Sequence, residues 1–273
     1  MKKGTYIYFI LFVVLLIGLS LLLYPTVSDY VNSLNQSRAI TSYVDEVAKM
    51  DENKYQMTWD QAIEYNRNLL TRKNNFILTP ELEEQYYELL DVAGTGIMGY
   101  VEIPSINCTL PIYHGVDETV LQIAVGHIEW TSLPIGGEST HAVLSGHRGL
   151  PSAKLFTNLD QLREGDLFML RVLDELLTYE VDQILIVEPQ DVDALTIEKG
   201  KDLCTLVTCT PYGVNSHRML VRGHRVENTP TTVTVRITAD AVQIEPIIIA
   251  LFIALPLLVV SFIILFARSG RRR

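Results

Sequence analysis

A thiol, an imidazole and a guanidinium stand in the sequence at positions where each could do chemistry. Cys209 ends the run Leu203-Cys204-Thr205-Leu206-Val207-Thr208, which is rich in β-branched residues and therefore strand-forming. Thr210-Pro211-Tyr212-Gly213 then breaks the strand, because proline removes a ladder donor and glycine permits a turn. A second apolar run, Met219-Leu220-Val221, carries basic residues around it, with Arg218 nine residues after the cysteine. A short loop folds such a spacing back beside the sulfur. Cys209 is thus expected at a strand end, next to a loop and near cations, the setting in which a thiol becomes a thiolate near neutral pH.

Cysteine acyl transfer needs a nucleophile, a proton donor for the leaving amine, and a positive group for the tetrahedral oxyanion. His147 follows Val143-Leu144-Ser145-Gly146, a strand ending in glycine, so its imidazole is expected at the rim of a sheet. A lone histidine there is more often structural, and a lone cysteine is more often a small buried hydrophobe. His127 and His141 precede the motif, and His217 and His224 flank Arg218; each is a weaker candidate. Arg218 keeps its charge at any working pH and forks two donors toward an oxygen. Arg222 shares its strand face by alternation and is the rival for the same role. Cys204, five residues before Cys209, points to the opposite face, and Cys108 lies in an apolar segment and reads as core.

Thr205-Leu206-Val207-Thr208-Cys209 with its downstream arginine resembles the active-site strand of sortases, thiol transpeptidases of Gram-positive cell surfaces. Ser145-Gly146-His147-Arg148-Gly149-Leu150-Pro151-Ser152-Ala153-Lys154-Leu155-Phe156 is similar to their catalytic-histidine region. Gly99-Tyr100-Val101-Glu102-Ile103-Pro104 and Leu110-Pro111-Ile112-Tyr113-His114-Gly115 extend the likeness toward class C, the pilus-assembling branch. The resemblance covers residues 50 to 230 and the two membrane segments. It implies an eight-stranded barrel with Cys209 as nucleophile, His147 as acid/base and Arg218 as oxyanion and substrate stabiliser. It further implies cleavage of LPxTG-like sorting signals through a thioester, resolved by a lysine of a neighbouring pilin to give an isopeptide bond. No cofactor is required. Class C lids usually carry an Asp-Pro-aromatic triplet; this chain has no Asp-Pro, and reads Asn74-Asn75-Phe76-Ile77-Leu78-Thr79-Pro80-Glu81 in that region.

The rest of the 273-residue chain must present these groups. Thr5 to Tyr24 and Ile247 to Ala267 are charge-free apolar runs long enough to span a bilayer as helices. Lys2 and Lys3 precede the first, and Arg268, Arg271, Arg272 and Arg273 follow the second, so both termini are expected in the cytoplasm. The first run is too long for a typical signal-peptide core and no Ala-x-Ala-like site follows it, so it reads as an uncleaved anchor. The expected division is an anchor at 1–24, juxtamembrane helices and a lid-like region at 25–93, and a catalytic barrel at 94–228. A linker at 229–246, a transmembrane helix at 247–267 and a basic tail at 268–273 complete it.

Of 22 Lys and Arg, the six beside the membrane runs leave 16 against 32 acids, or −16 outside the cytoplasm. Such an acidic ectodomain argues against nucleic acid, whose binding rests on basic patches. Three cysteines cannot all pair internally, and no Cys-x-x-Cys or His-rich spacing supports a metal.

Residues 26 to 50 carry Val27, Val31, Leu34, Ile40, Val44 and Val47 at largely helical spacing, a juxtamembrane stalk. Thr58-x-x-Gln61 reads as a capping box opening a helix through Trp59, Ile63 and Leu70. Thr79-Pro80-Glu81 opens another, with Leu82, Tyr86, Leu89 and Leu90 on one face. Strand-like runs follow at 97–103, 108–113, 141–146, 166–173, 176–187, 203–209 and 217–226, with short helical inserts near 117–124, 153–162 and 191–195. Many short strands with few long helices suggest a closed, mainly β barrel with short helices, which removes exposed edges. The fold expected is that barrel, preceded by N-terminal helices and flanked by two transmembrane helices.

Three rival readings are a sortase that attaches proteins to peptidoglycan, a serine peptidase using Ser145 or Ser216, and a non-enzymatic adhesion module. No Gly-x-Ser-x-Gly elbow supports the second. The orientation itself is testable: protease added to intact protoplasts should release the ectodomain and spare tags at both termini. A mature N-terminus near Ser28 would instead mark the first run as a cleaved signal.

Overall fold

A computed structural model of the protein describes residues 3–72 and 78–228. Residues 73–77 of the lid-like region, the linker, the second apolar run at 247–267 and the basic tail at 268–273 lie outside the described residues. The first apolar run is the beginning of one long helix, α1 (Lys3–Ala48), which continues through Pro25 into the stalk without interruption. Its apolar side chains from Ile10 to Leu22 are largely exposed, and this part is long and apolar enough to cross a bilayer. Tyr43, near the other end, is buried; its hydroxyl donates to Met98 O at 2.9 Å and accepts from Leu173 N at 2.7 Å.

Helix α2 (Glu52–Leu69) begins six residues before the expected capping box. Asp51 is the cap, accepting from the Lys54 amide at 2.8 Å, whereas the Thr58 hydroxyl sits mid-helix and donates back to Lys54 O. Its buried residues are Ala62, Tyr65, Asn66 and Leu69, whereas Ile63 and Leu70, two of the apolar residues from which the helix was read, are exposed. Asn66 explains the difference, because its amide both donates to Leu133 O and accepts from Leu133 N, rotating that face onto the barrel. Helix α3 (Pro80–Glu88) has proline in its first turn, as expected, and buries Tyr86.

Eight strands close into a barrel: β1 (Ile97–Ile103), β2 (Cys108–His114), β3 (Val125–His127), β4 (Thr140–Ser145), β5 (Leu167–Val172), β6 (Glu175–Val187), β7 (Asp202–Thr210) and β8 (His217–Val226). Around the barrel the order is β1-β2-β3-β4-β7-β8-β6-β5, and β5 pairs back onto β1. The β2–β3 and β4–β7 pairs are parallel and the others antiparallel. Strand β3, only three residues long, is absent from the sequence reading because it is too short to show alternation. Of the helical inserts, α4 (Glu118–Leu121) forms, while 153–162 and 191–195 contain only short 3-10 turns, at Leu159–Gln161 and Asp193–Leu195.

The interior is filled by alternate residues such as Val101, Ile112, Phe168, Leu170, Leu206 and Val221, all without exposed surface. Burying each such side chain stabilises by about 1.5–3 kcal/mol before chain entropy is counted. A polar knot joins α3 to this core. His127 donates from Nε2 to Ser132 O and accepts at Nδ1 from the Tyr86 hydroxyl, which in turn accepts from Gly115 N.

Burial pushes the His127 imidazole down to about 3, whereas the unfolded chain titrates near 6.5. Between those values the unfolded state binds a proton that the folded state refuses. The stability tied to this neutral histidine is therefore full above about pH 6.5 and is lost as pH falls toward 3, by about 2 kcal/mol between pH 8 and pH 5. Tm measured across that range should fall less steeply in His127→Gln than in the native protein. Equal slopes would show that His127 titrates alike in both states.

Candidate active site

Parallel pairing of β4 with β7 aligns Ser145 with Val207, and both strands end at the same rim of the barrel. Cys209 lies two residues beyond Val207, and His147 two residues beyond Ser145. Strand β8 starts at this rim and returns antiparallel, so that Arg218 is the direct partner of Cys209 across the β7–β8 ladder. His147, distant in the chain, and the Cys209–Arg218 pair are thus delivered to one rim by three adjacent strands. The Cys209 residue is partly exposed there. The Arg218 guanidinium donates to the backbone carbonyls of Asn215 at 3.3 Å and His217 at 3.1 Å, and among the described residues no carboxylate pairs with it.

The junction between the two parallel strands is held by backbone and side chain together. Gly146 N donates to Val207 O at 3.0 Å, and the buried Thr208 hydroxyl donates to Gly146 O at 2.8 Å. Thr208 is buried and ties the cysteine strand to the histidine loop. Gly146 is required by crowding: a Cβ there would stand 2.7 Å from the Phe156 ring and 2.9 Å from Val125. Phe156 N donates to His147 O at 3.1 Å and closes the loop behind the imidazole.

Three neighbours of the site were not legible in the sequence. Glu118 on α4 places a carboxylate oxygen 3.6 Å from His147 Nε2. A hydrogen bond from Gln122, and then the His147 ring, hold this carboxyl below the usual carboxylate range. Arg148 is ion-paired with Asp160 and stands 6.0 Å from the centre of the Tyr212 ring. Tyr212, from the turn after Cys209, also packs over Gly149, whose φ of +75° suits glycine. Arg148 and Tyr212 lie within the motifs quoted above, but nothing local marks Glu118, 29 positions from His147.

The other candidates are committed elsewhere. His127 is in the polar knot, and His141 is buried between Thr196 O at 2.9 Å and the Thr205 hydroxyl at 2.7 Å. His217 contacts the Ser216 hydroxyl, and His224 faces Asp182 at 3.9 Å. Arg222 is spent on Asp182, at 2.9 and 3.1 Å, and on Glu198 at 2.8 Å. Cys204 faces the core, and the Cys108 thiol packs beneath the Leu155 carbonyl at 3.7 Å.

Comparison with known proteins agrees with this fold. The Sortase domain family model matches residues 101–226. Sortase D of Bacillus subtilis is 34% identical over 131 residues, a stretch covering 47% of this chain and 63% of that relative. Among solved structures, sortase C1 from Streptococcus agalactiae is 54% identical, with a TM-score of 0.68, covering 70% of this chain and 100% of that one. Streptococcus pneumoniae sortase C, whose structure bears on catalysis and pilin substrate specificity, is 45% identical with a TM-score of 0.64, covering 70% and 98%. The chain belongs to the sortase family of cysteine transpeptidases, in its class C branch.

The thiols differ sharply in environment. Burial pushes Cys108 up to about 12 and Cys204 well above the ordinary thiol range, so both stay protonated at pH 8. Iodoacetamide at pH 8 should therefore label Cys209 alone in the folded protein, and all three cysteines after unfolding, as read by peptide mass. Labelling of Cys108 or Cys204 at a comparable rate in the folded state would contradict this burial.

Proposed function

We propose that the chain is a membrane-anchored cysteine transpeptidase that cleaves LPxTG-like sorting signals and joins pilin subunits by lysine isopeptide bonds. The observation that carries the reading is the Cys209–Arg218 pairing across β7 and β8, level with the end of β4 that leads into His147. The Cys209 thiolate attacks the threonine carbonyl carbon, and its π electrons move onto oxygen, where the Arg218 guanidinium meets the developing charge. Collapse breaks the Thr–Gly bond, and His147 gives its proton to the departing glycine amine. The neutral ε-amine of a pilin lysine then attacks the thioester, loses a proton to His147 and expels the thiolate. The ledger closes, with one amide bond broken and one formed.

Several features support the assignment of roles. Arg218 has its donors on backbone carbonyls, which yield readily to an oxyanion, whereas Arg222 is held by two carboxylates. The Glu118 carboxylate faces the imidazole that must alternate as acid and base. The apolar first half of α1 serves as the anchor, with the barrel outside the cell membrane and both termini in the cytoplasm. The run at 247–267 is the second anchor, which suits a polymerase whose substrates are themselves held in the membrane.

Cleavage of a sorting-signal peptide, and crosslinking of candidate pilins mapped by mass spectrometry, test the proposal. Cys209→Ala should abolish both, while Cys108→Ala and Cys204→Ala retain turnover. His147→Ala and Arg218→Ala should each lower kcat by about 10²–10³, the cost of one oxyanion donor elsewhere. Arg218→Lys should remain impaired because a point charge lacks the fork. Greater damage from Arg222→Ala would move the oxyanion role there. Transfer to peptidoglycan precursors in place of pilin lysine would make the chain a wall-anchoring sortase.

A further inference from the structure

Helix α1 does more than tether. Asp29, Asn32 and Gln36 lie at helical positions i, i+3 and i+7, on one face, and the buried Tyr43 continues that face seven residues later. Asp29 accepts from the Lys154 amide at 2.7 Å and pairs with the Lys154 ammonium at 3.4 Å. Asn32 donates to Ser152 O at 2.7 Å. Both partners belong to the loop that runs from His147 to Phe156. Gln36 donates to Ile123 O at 2.6 Å, just beyond α4, whose Glu118 faces His147. One helix face therefore grips the two segments that flank the imidazole, the loop that carries it and the turn that opposes it.

From this we infer that Asp29, Asn32 and Gln36 are positioning residues for His147, and that α1 carries the membrane's frame of reference directly into the catalytic rim. The inference rests on the transpeptidase and anchor readings above and adds a role for residues that those readings leave idle. Asp29 and Gln36 follow the apolar run ending at Tyr24 by 5 and 12 residues, so the gripped loops stand about 7 and 18 Å along the helix from its end. A lipid-held substrate presents its sorting signal within such a distance of the bilayer. A continuous helix with side chains bonded to loop carbonyls and an amide fixes both the height of the rim and the approach of the imidazole. Small errors in that approach are expensive, since about 1 Å of misplacement costs as much as 10²-fold in rate.

The test uses the full chain in lipid nanodiscs, comparing the native protein with Asp29→Ala/Asn32→Ala/Gln36→Ala. Amide exchange in 147–156 and 118–123 should quicken about tenfold, with β7 unchanged, because local opening is set by local contacts. Cleavage of an LPxTG peptide should show kcat reduced about 5- to 50-fold with KM within about twofold, the pattern of lost transition-state geometry. Gln36→Ala alone should loosen only 118–123, and Asp29→Ala/Asn32→Ala only 147–156. Asp29→Asn keeps an oxygen for the Lys154 amide and should restore exchange and kcat to within about threefold of native. Unchanged exchange in both segments would overturn the inference, as would faster exchange with native kcat. Should the native chain itself fail to cleave the peptide, the transpeptidase reading fails, and with it the positioning role.

Discussion

Parallel pairing of β4 and β7 is the constraint from which the site follows. In the chain the two strands are separated by the whole of β5 and β6, yet in the sheet they are direct neighbours. Because they run in the same direction, their ends meet at one rim, and the residues just past each end share a level. Antiparallel pairing would have sent His147 and Cys209 to opposite ends of the barrel. The Thr208 hydroxyl on Gly146 O reinforces the junction. A buried hydrogen bond contributes about 1 kcal/mol net, and leaving its acceptor bare costs about 1–3 kcal/mol. Register at the junction therefore resists slippage where a slip would reverse the facing of every side chain.

The distribution of charge around this rim is selective. In a chain of net charge −10, most cations near the site have carboxylate partners: Arg148 has Asp160, and Arg222 has Asp182 and Glu198. Among the described residues Arg218 has only carbonyl oxygens as partners, so its donors can be redirected without first breaking an ion pair. Arg148 instead gives its charge to structure, fastening the histidine loop to the turn after Leu159 while Tyr212 closes over Gly149. The cysteine's turn and the histidine's loop thus touch each other as well as sharing a rim.

Outside the rim, the helices act as braces. The His127–Tyr86 knot binds α3 to the barrel through a neutral imidazole that is fully paired, which is how a buried polar group avoids its desolvation cost. Asn66 serves α2 in the same way, and Tyr43 serves α1, meeting one carbonyl and one amide of two different strands' surroundings. In each case a single polar side chain decides which face of a helix is inward.

By itself the sequence determined the strands long enough to alternate, the apolar helix at the N-terminus, and the cysteine at a strand end, because these depend on residues close in the chain. Cys204 and Cys209 were separable by parity alone, five residues being an odd number along a strand. Arg218 and Arg222 were not, since parity puts both on one face; among the described residues the tertiary structure brings Asp182 and Glu198 to Arg222 and no carboxylate to Arg218. Strand β3 and the inward face of α2 were likewise hidden, the one too short for a period and the other set by a distant partner, Leu133. Glu118 opposite His147, and the grip of Asp29, Asn32 and Gln36 on the loops beside it, join positions up to 125 residues apart. Local pattern carries no signal of such contacts, because they exist only once the barrel has closed and the helix has been laid along it.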